Sequence, residues 1–243
     1  MEDDILKELE DQVDILSTGN TTKSNKPKPK DNSMWSVTDI RPREIKPSEL
    51  QKPSNEYTIA LANNRVDLPV ETEDLLIKLI SLLNSKGYTL RYNFPSNLKI
   101  TEKISRIDNL KVTSYLPWPK FNEHAPNVAV KRPDELAYRV ACYMVKNFTT
   151  KPDAIRCLEA HYAQCVLGTE LVKPVKFILA YSSCGTETIT KDIKWETVRT
   201  VGSFIKYCST YAIPIFNIGN KEALARLSEF IKTQEKDNNS SSS

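Results

Sequence analysis

Residues 56–93, EYTIALANNRVDLPVETEDLLIKLISLLNSKGYTLRYN, read as strand, helix, strand. Tyr57-Thr58-Ile59-Ala60-Leu61-Ala62 is a run of strand formers and small apolar residues that stops at Asn63-Asn64. After Pro69, the residues Leu75, Leu76, Leu79, Ile80, Leu82 and Leu83 recur at helical spacing. Glu71, Glu73 and Asp74 fall in the first turn, where carboxylates favour the positive end of the helix dipole. Gly87 can take the left-handed conformation that ends the helix. Tyr88-Thr89-Leu90-Arg91-Tyr92 follows as a strand, and after a loop Val112-Thr113-Ser114-Tyr115-Leu116 is the next. Strand, helix of about fifteen residues and strand make a βαβ unit, the building block of parallel sheets. The expected fold is α/β: a Rossmann-like, mostly parallel sheet with helices on both faces.

The chain has 243 residues and 40% hydrophobic content, enough for a sizeable core. It holds no apolar run long enough to span a bilayer, and its acidic start lacks the apolar core of a secretory signal. No membrane is expected among the partners. The five cysteines (Cys142, Cys157, Cys165, Cys184, Cys208) include no C-x-x-C pair, so free thiols in a reducing cytoplasm are expected rather than a zinc site. Against +3 for the whole chain, residues 1–16 carry seven acids and one base, a balance of −6, which leaves +9 for the remainder. A basic body with an acidic head points to a polyanion partner.

In order along the chain, residues 1–16 form an acidic amphipathic segment with Ile5, Leu6, Leu9, Val13 and Leu16 at helical spacing. It reads as a solvated helix, a docking peptide for a protein partner, or a segment that folds back on the basic body. Residues 17–55 read as a flexible linker rich in Ser, Thr, Asn, Lys and Pro, followed by an extended arm, and 56–233 as the folded domain. Further strands are expected at 175–181 and 213–217. Helices are expected to start near Pro133 and over 153–166, 198–211 and 221–232. Residues 234–243 read as a disordered tail.

Gly87-Tyr-Thr-Leu-Arg91, Tyr115-Leu-Pro-Trp118 with Lys120-Phe-Asn122, Val166-Leu-Gly168, Pro174-x-x-Phe177 and Tyr211-Ala-Ile-Pro-Ile-Phe-Asn217 follow one another in order. Together they resemble phage-encoded proteins of the SLOG superfamily, the Rossmann-like group that includes the DNA-processing protein A family and the cytokinin-activating lonely-guy enzymes. The resemblance covers roughly residues 56–230. It implies a ligand position at the carboxyl ends of the strands. The chain departs from the family's ligand loops. Ala62-Asn63-Asn64-Arg65 stands where the family has a Gly-Ser-Arg-like turn, and Tyr92-Asn93-Phe94-Pro95-Ser96-Asn97 replaces a glycine-rich loop. A later glycine turn survives only as Thr200-Val201-Gly202-Ser203. Pro95 has no N–H to give a phosphate, and Phe94 adds bulk. No nucleotide cofactor is expected.

Enzyme chemistry is sparse. His124 and His161 are the two histidines, and Glu159 and His161 do not share a helical face. Glu187, Asp192 and Glu196 read as a solvated acidic loop, and no nucleophile–base, metal or Walker spacing is present. A non-enzyme is expected. Basic residues carry more signal: residues 86–139 hold ten bases against five acids, interleaved with Tyr92, Phe94, Tyr115, Trp118 and Phe121. Such cations neutralise phosphates and such rings stack on bases; the bland alternative is core aromatics with solvated surface lysines. The candidate DNA-contacting residues are Arg65, Arg91, Tyr92, Phe94, Lys99, Lys103, Arg106, Lys120, Lys131 and Arg132. Arg65 and Arg91 are expected at strand ends beside the former ligand loop. The expected function is non-enzymatic DNA binding, phage-encoded, in replication, recombination or transcription control, with single- or double-stranded DNA left open. Two alternatives stand beside it: a nucleotide sensor or N-glycosidic hydrolase using the Rossmann crevice, and a host-factor-binding protein acting through residues 1–16.

Overall fold

The computed structural model describes residues 40–62, 68–93, 98–115, 117–118, 132–190, 192–193 and 195–240. Five strands, β1 (Glu56–Leu61), β2 (Thr89–Asn93), β3 (Val112–Tyr115), β4 (Phe177–Tyr181) and β5 (Ile215–Asn217), form one sheet in the order β3-β2-β1-β4-β5. All four pairings are parallel. The five expected strands are therefore present, and the sheet is wholly rather than mostly parallel. Parallel neighbours cannot be joined by a tight hairpin, so each connection must cross over the sheet.

The first crossover is α1 (Val70–Ser85). Its end has the geometry that Gly87 announced: Gly87 sits at φ 79°, and the Tyr88 N–H reaches back to the Leu83 carbonyl at 3.0 Å. Buried Leu83 and Tyr88 supply the apolar contact that accompanies this cap. The second crossover corrects the sequence reading. The segment expected as a loop holds α2 (Leu98–Ser105), which buries Ile100 and Ile104 one turn apart. Eight residues with two core positions leave little periodicity to see.

Between β3 and β4 lie α3 (Glu135–Met144) and α4 (Asp153–Leu167). The Asp134 side chain caps α3 by accepting from the Ala137 N–H at 2.9 Å. Gly168, at φ 82°, ends α4 as expected. Then come α5 (Trp195–Tyr211) and α6 (Ala223–Ser240). The residues Thr200 to Ser203, read as the remnant of a glycine turn, lie inside α5; Gly202 there is buried in a helix and turns nothing. The last helix also runs beyond the expected end into the polar tail, where neither Gly nor Pro interrupts it.

The strands divide the side chains between two faces. On one, Phe177 stacks on Tyr57 (centroids 5.4 Å apart) and meets Tyr88, Phe216 and Phe230 edge-on, fastening β1, β4, β5 and α6 together. On the other, α4 is buried from Arg156 to Leu167, packed between the sheet, α3 and α5. The arm from Ile40 to Pro53 packs on the body, with Ile45 buried and the Gln51 N–H bonded to the Val172 carbonyl at 2.7 Å. Among the described residues no helix is long and apolar enough to cross a membrane, and all five cysteines are free thiols.

Candidate functional site

Open parallel sheets generally hold ligands at the carboxyl ends of their strands, where the strand order reverses. Here the reversal falls between β1 and β4. The loop after β4 is closed by Asn217 at the end of β5. Its side-chain oxygen accepts from the backbone N–H groups of Ser182 (3.0 Å) and Gly219 (3.1 Å). Its amide donates to Ser182 Oγ and to the Thr186 carbonyl, both at 2.7 Å. Every hydrogen-bonding position of this buried amide is thus used internally. A Cβ on Gly219 would lie 2.1 Å from the Ser182 carbonyl oxygen, so backbone fills the space a phosphate would need. Glu187, expected in a solvated loop, is half-buried instead: it accepts from the Asn217 N–H at 2.8 Å and pairs with Arg226 at 2.6 Å.

The opposite edge of the sheet is more open. A pocket of about 320 Å³ lies between the last turns of α4 and the first residues of β1, β2 and β3. Glu56 opens β1, and the register sets it level with Thr89, two residues before Arg91; Arg91 in turn faces Thr113. Residues i and i+2 share a sheet face, which brings Glu56 and Arg91 together across two strands. Arg91 pairs with the Glu56 carboxylate and donates to Ser54 Oγ (3.1 Å) and the Lys173 carbonyl (3.2 Å). Burial pushes the Glu56 carboxyl up, but Arg91, Ser54 and Lys173 outweigh it and hold the group below its usual range. Compared with known proteins, the chain matches no family model, no curated protein and no solved structure.

The wall contributed by α4 carries His161, Gln164 and Cys165. His161 is 3% exposed and Gln164 6%. Among the described residues, neither imidazole nitrogen nor the Gln164 amide nitrogen has a hydrogen-bond partner. Burial lowers the His161 pKa to about 4, so the ring is neutral at pH 7 and offers one donor and one acceptor. Burial likewise raises the Cys165 thiol to about 12 against the opposing pull of Arg91, so it is no thiolate nucleophile. Glu159, two residues before His161, turns the other way as its helical position requires. It accepts from Ser203 Oγ on α5 at 3.0 Å, and burial raises its pKa.

The expected DNA-contacting residues separate in space. Arg91 departs most from its expected place at a strand end: it lies within β2, 9% exposed, and its guanidinium is held by an internal carboxylate. Lys103 is half-buried and pairs with Glu73 and Asp74. Arg106 is exposed and pairs with Glu102 one turn earlier, and Arg132 is exposed before α3. Tyr92 belongs to β2 and Lys99 to α2. Arg65, Phe94, Lys120 and Lys131 lie outside the described residues.

The list of candidate contacts left out another set of cations. Lys52, Lys86 and Lys111 shortly precede β1, β2 and β3, and Lys173 and Lys176 precede β4. Backbone and side-chain bonds gather these approaches at one edge. The Thr89 N–H donates to the Asn55 carbonyl, the Lys111 N–H to Asn84 Oδ1, and the Lys176 N–H to the Glu56 carbonyl. A lysine ahead of each strand run was visible in the sequence once the strands were assigned.

Proposed function

We propose that this chain is a non-enzymatic DNA-binding protein that presents the amino-terminal edge of its sheet to phosphates. The observation that carries this reading is the placement of Lys52, Lys86, Lys111, Lys173 and Lys176 ahead of four adjacent strands, with Arg106 close by in the turn before β3. Of the described acids near that edge, Glu56 pairs with Arg91 and Glu102 with Arg106, while Asp108 and Glu170 are exposed. The +9 balance outside residues 1–16 supports a polyanion partner, and adjacent strands about 4.8 Å apart give the lysines a spacing of the same order as successive phosphates. The resemblance to the SLOG superfamily, whose relatives include single-strand-DNA-binding recombination mediators, supports a role in replication, recombination or transcription control in a phage-infected cytoplasm.

The test replaces Lys52, Lys86, Lys111, Lys173 and Lys176 with Gln and measures DNA affinity by fluorescence anisotropy at several salt concentrations. Each lost phosphate contact should reduce the slope of log K against log salt by about 0.7 on single strands or 0.9 on duplex. A drop of about 3 or more is expected for the five together. An unchanged affinity and slope would overturn the proposal.

A further inference from the structure

We infer that the pocket beside α4 holds a nucleobase. The inference rests on the DNA-binding reading for the origin of the base, and on the pocket's own chemistry for the class of ligand. First, the charges within the pocket balance. Arg91 is paired with Glu56, and Lys173 acts on the same carboxylate, while Glu170 also lines the pocket. A phosphate or carboxylate would find no surplus of positive charge inside and would meet two carboxylates.

Second, the groups left without partners are neutral and of both kinds. Both residues line the pocket with these nitrogens covered by neighbouring atoms; turned towards a ligand, the His161 ring would supply a donor and an acceptor and the Gln164 amide nitrogen two donors. Leaving such groups buried and unmade costs stability, a cost that a matching ligand removes. The ligand must therefore be uncharged and carry acceptors beside donors on one edge, as nucleobases do. Third, the size fits: about 320 Å³ is at the small end of the roughly 300–1,000 Å³ range of ligand pockets, suited to a single ring system and its sugar. Lys173 belongs both to the pocket and to the lysine-bearing edge, so a strand held along that edge passes the pocket mouth.

The experiment uses the full chain, a His161→Leu variant and a Gln164→Met variant. Thermal shift is read with adenosine, cytidine, guanosine or thymidine, and with inorganic phosphate as the anionic probe. Anisotropy is read with a mixed-sequence single strand and the corresponding duplex. Where the base comes from a free nucleoside, at least one nucleoside should raise the melting temperature by about 3–6 °C at ten times its Kd, and both variants should abolish the rise. Where it comes from a strand, both variants should weaken single-strand binding at least tenfold and leave duplex binding unchanged. His161→Leu should not lower the melting temperature of the free protein, since it removes groups that have no partner; Gln164→Met serves if that variant does not fold. A shift with phosphate and none with nucleosides would overturn the inference, as would nucleoside and single-strand binding indifferent to both variants. DNA binding with a steep salt slope but no dependence on His161 or Gln164 sinks the pocket and spares the lysine edge. A His161-dependent nucleoside shift without DNA binding does the reverse.

Discussion

Replacing Arg91 by Met isolates the electrostatic role of the side chain at the centre of the pocket wall. Methionine keeps most of the aliphatic stem and removes the guanidinium. The Glu56 carboxylate then loses its partner, and Ser54 Oγ and the Lys173 carbonyl each lose a donor. Breaking a buried ion pair from one side costs about 3–5 kcal/mol, most of it from the charge left behind. The Glu56 side chain is 20% exposed and Arg91 11%, so some water reaches the orphaned carboxylate, and the lower end, about 3 kcal/mol, is expected at pH 7. For a chain of this size that is a fall in melting temperature of about 6–12 °C.

The pH dependence separates charge from packing. In the native protein the Glu56 carboxyl is held below its usual range, so its contribution is present above the unfolded pKa and lost as pH falls through the folded one. Without Arg91, burial raises that carboxyl against only Ser54 and Lys173, so it protonates more readily as pH falls. The gap between native and Arg91→Met proteins should therefore be widest near pH 7 and narrow below about pH 4.5. Adding Glu56→Gln to the variant should restore 1 kcal/mol or more. Urea unfolding followed by circular dichroism at both pH values measures these quantities. A loss under about 1 kcal/mol at pH 7, or an equal loss at both pH values, would refute the reasoning.

Two further outcomes are expected. Asn217→Ala removes four internal hydrogen bonds of a fully buried amide at about 1 kcal/mol each, so urea unfolding should show a loss of about 3–4 kcal/mol; a loss below 1 kcal/mol would show that the loop after β4 is held by other means. Deleting residues 1–16, which carry −6 against a body of +9, should tighten DNA binding severalfold at low salt, with the gain shrinking as salt rises; equal affinities of full-length and truncated proteins at both salt concentrations would reject self-competition.

The sheet was legible because each strand is a compact apolar run, and because Gly87 and Gly168 mark helix ends that occur where they were expected. The second crossover was not legible, since Ile100 and Ile104 alone carry its apolar face among charged neighbours. The site was harder. Arg91 reads as a phosphate ligand until the register sets Glu56 beside it, and register is a property of pairing between segments 35 residues apart. His161 and Gln164 sit on a helix buried on every side, where periodicity cannot tell a packed polar residue from one facing a pocket. Glu187 misled for the same reason, because its partners Asn217 and Arg226 come from the last strand and the last helix.

The two edges of the sheet also differ in what their polar groups have left to give. At the described carboxyl end, Asn217 is saturated by Ser182, Thr186 and Gly219, and the close approach of Gly185 to the Gly219 carbonyl, 2.8 Å from where a Cβ would sit, leaves no room for a side chain between them. A group whose donors and acceptors are all met internally gains nothing from a ligand and would lose bonds by turning towards one. At the amino-terminal edge the balance is reversed: among the described residues His161 and Gln164 hold buried donors and an acceptor that the fold does not use, beside the exposed residues Lys52, Lys111 and Lys173. Burying unsatisfied polar atoms costs stability, and cores that carry such a cost without a compensating contact are uncommon. The physical asymmetry favours recognition at the amino-terminal edge, where a ligand would supply the bonds that folding leaves unmade.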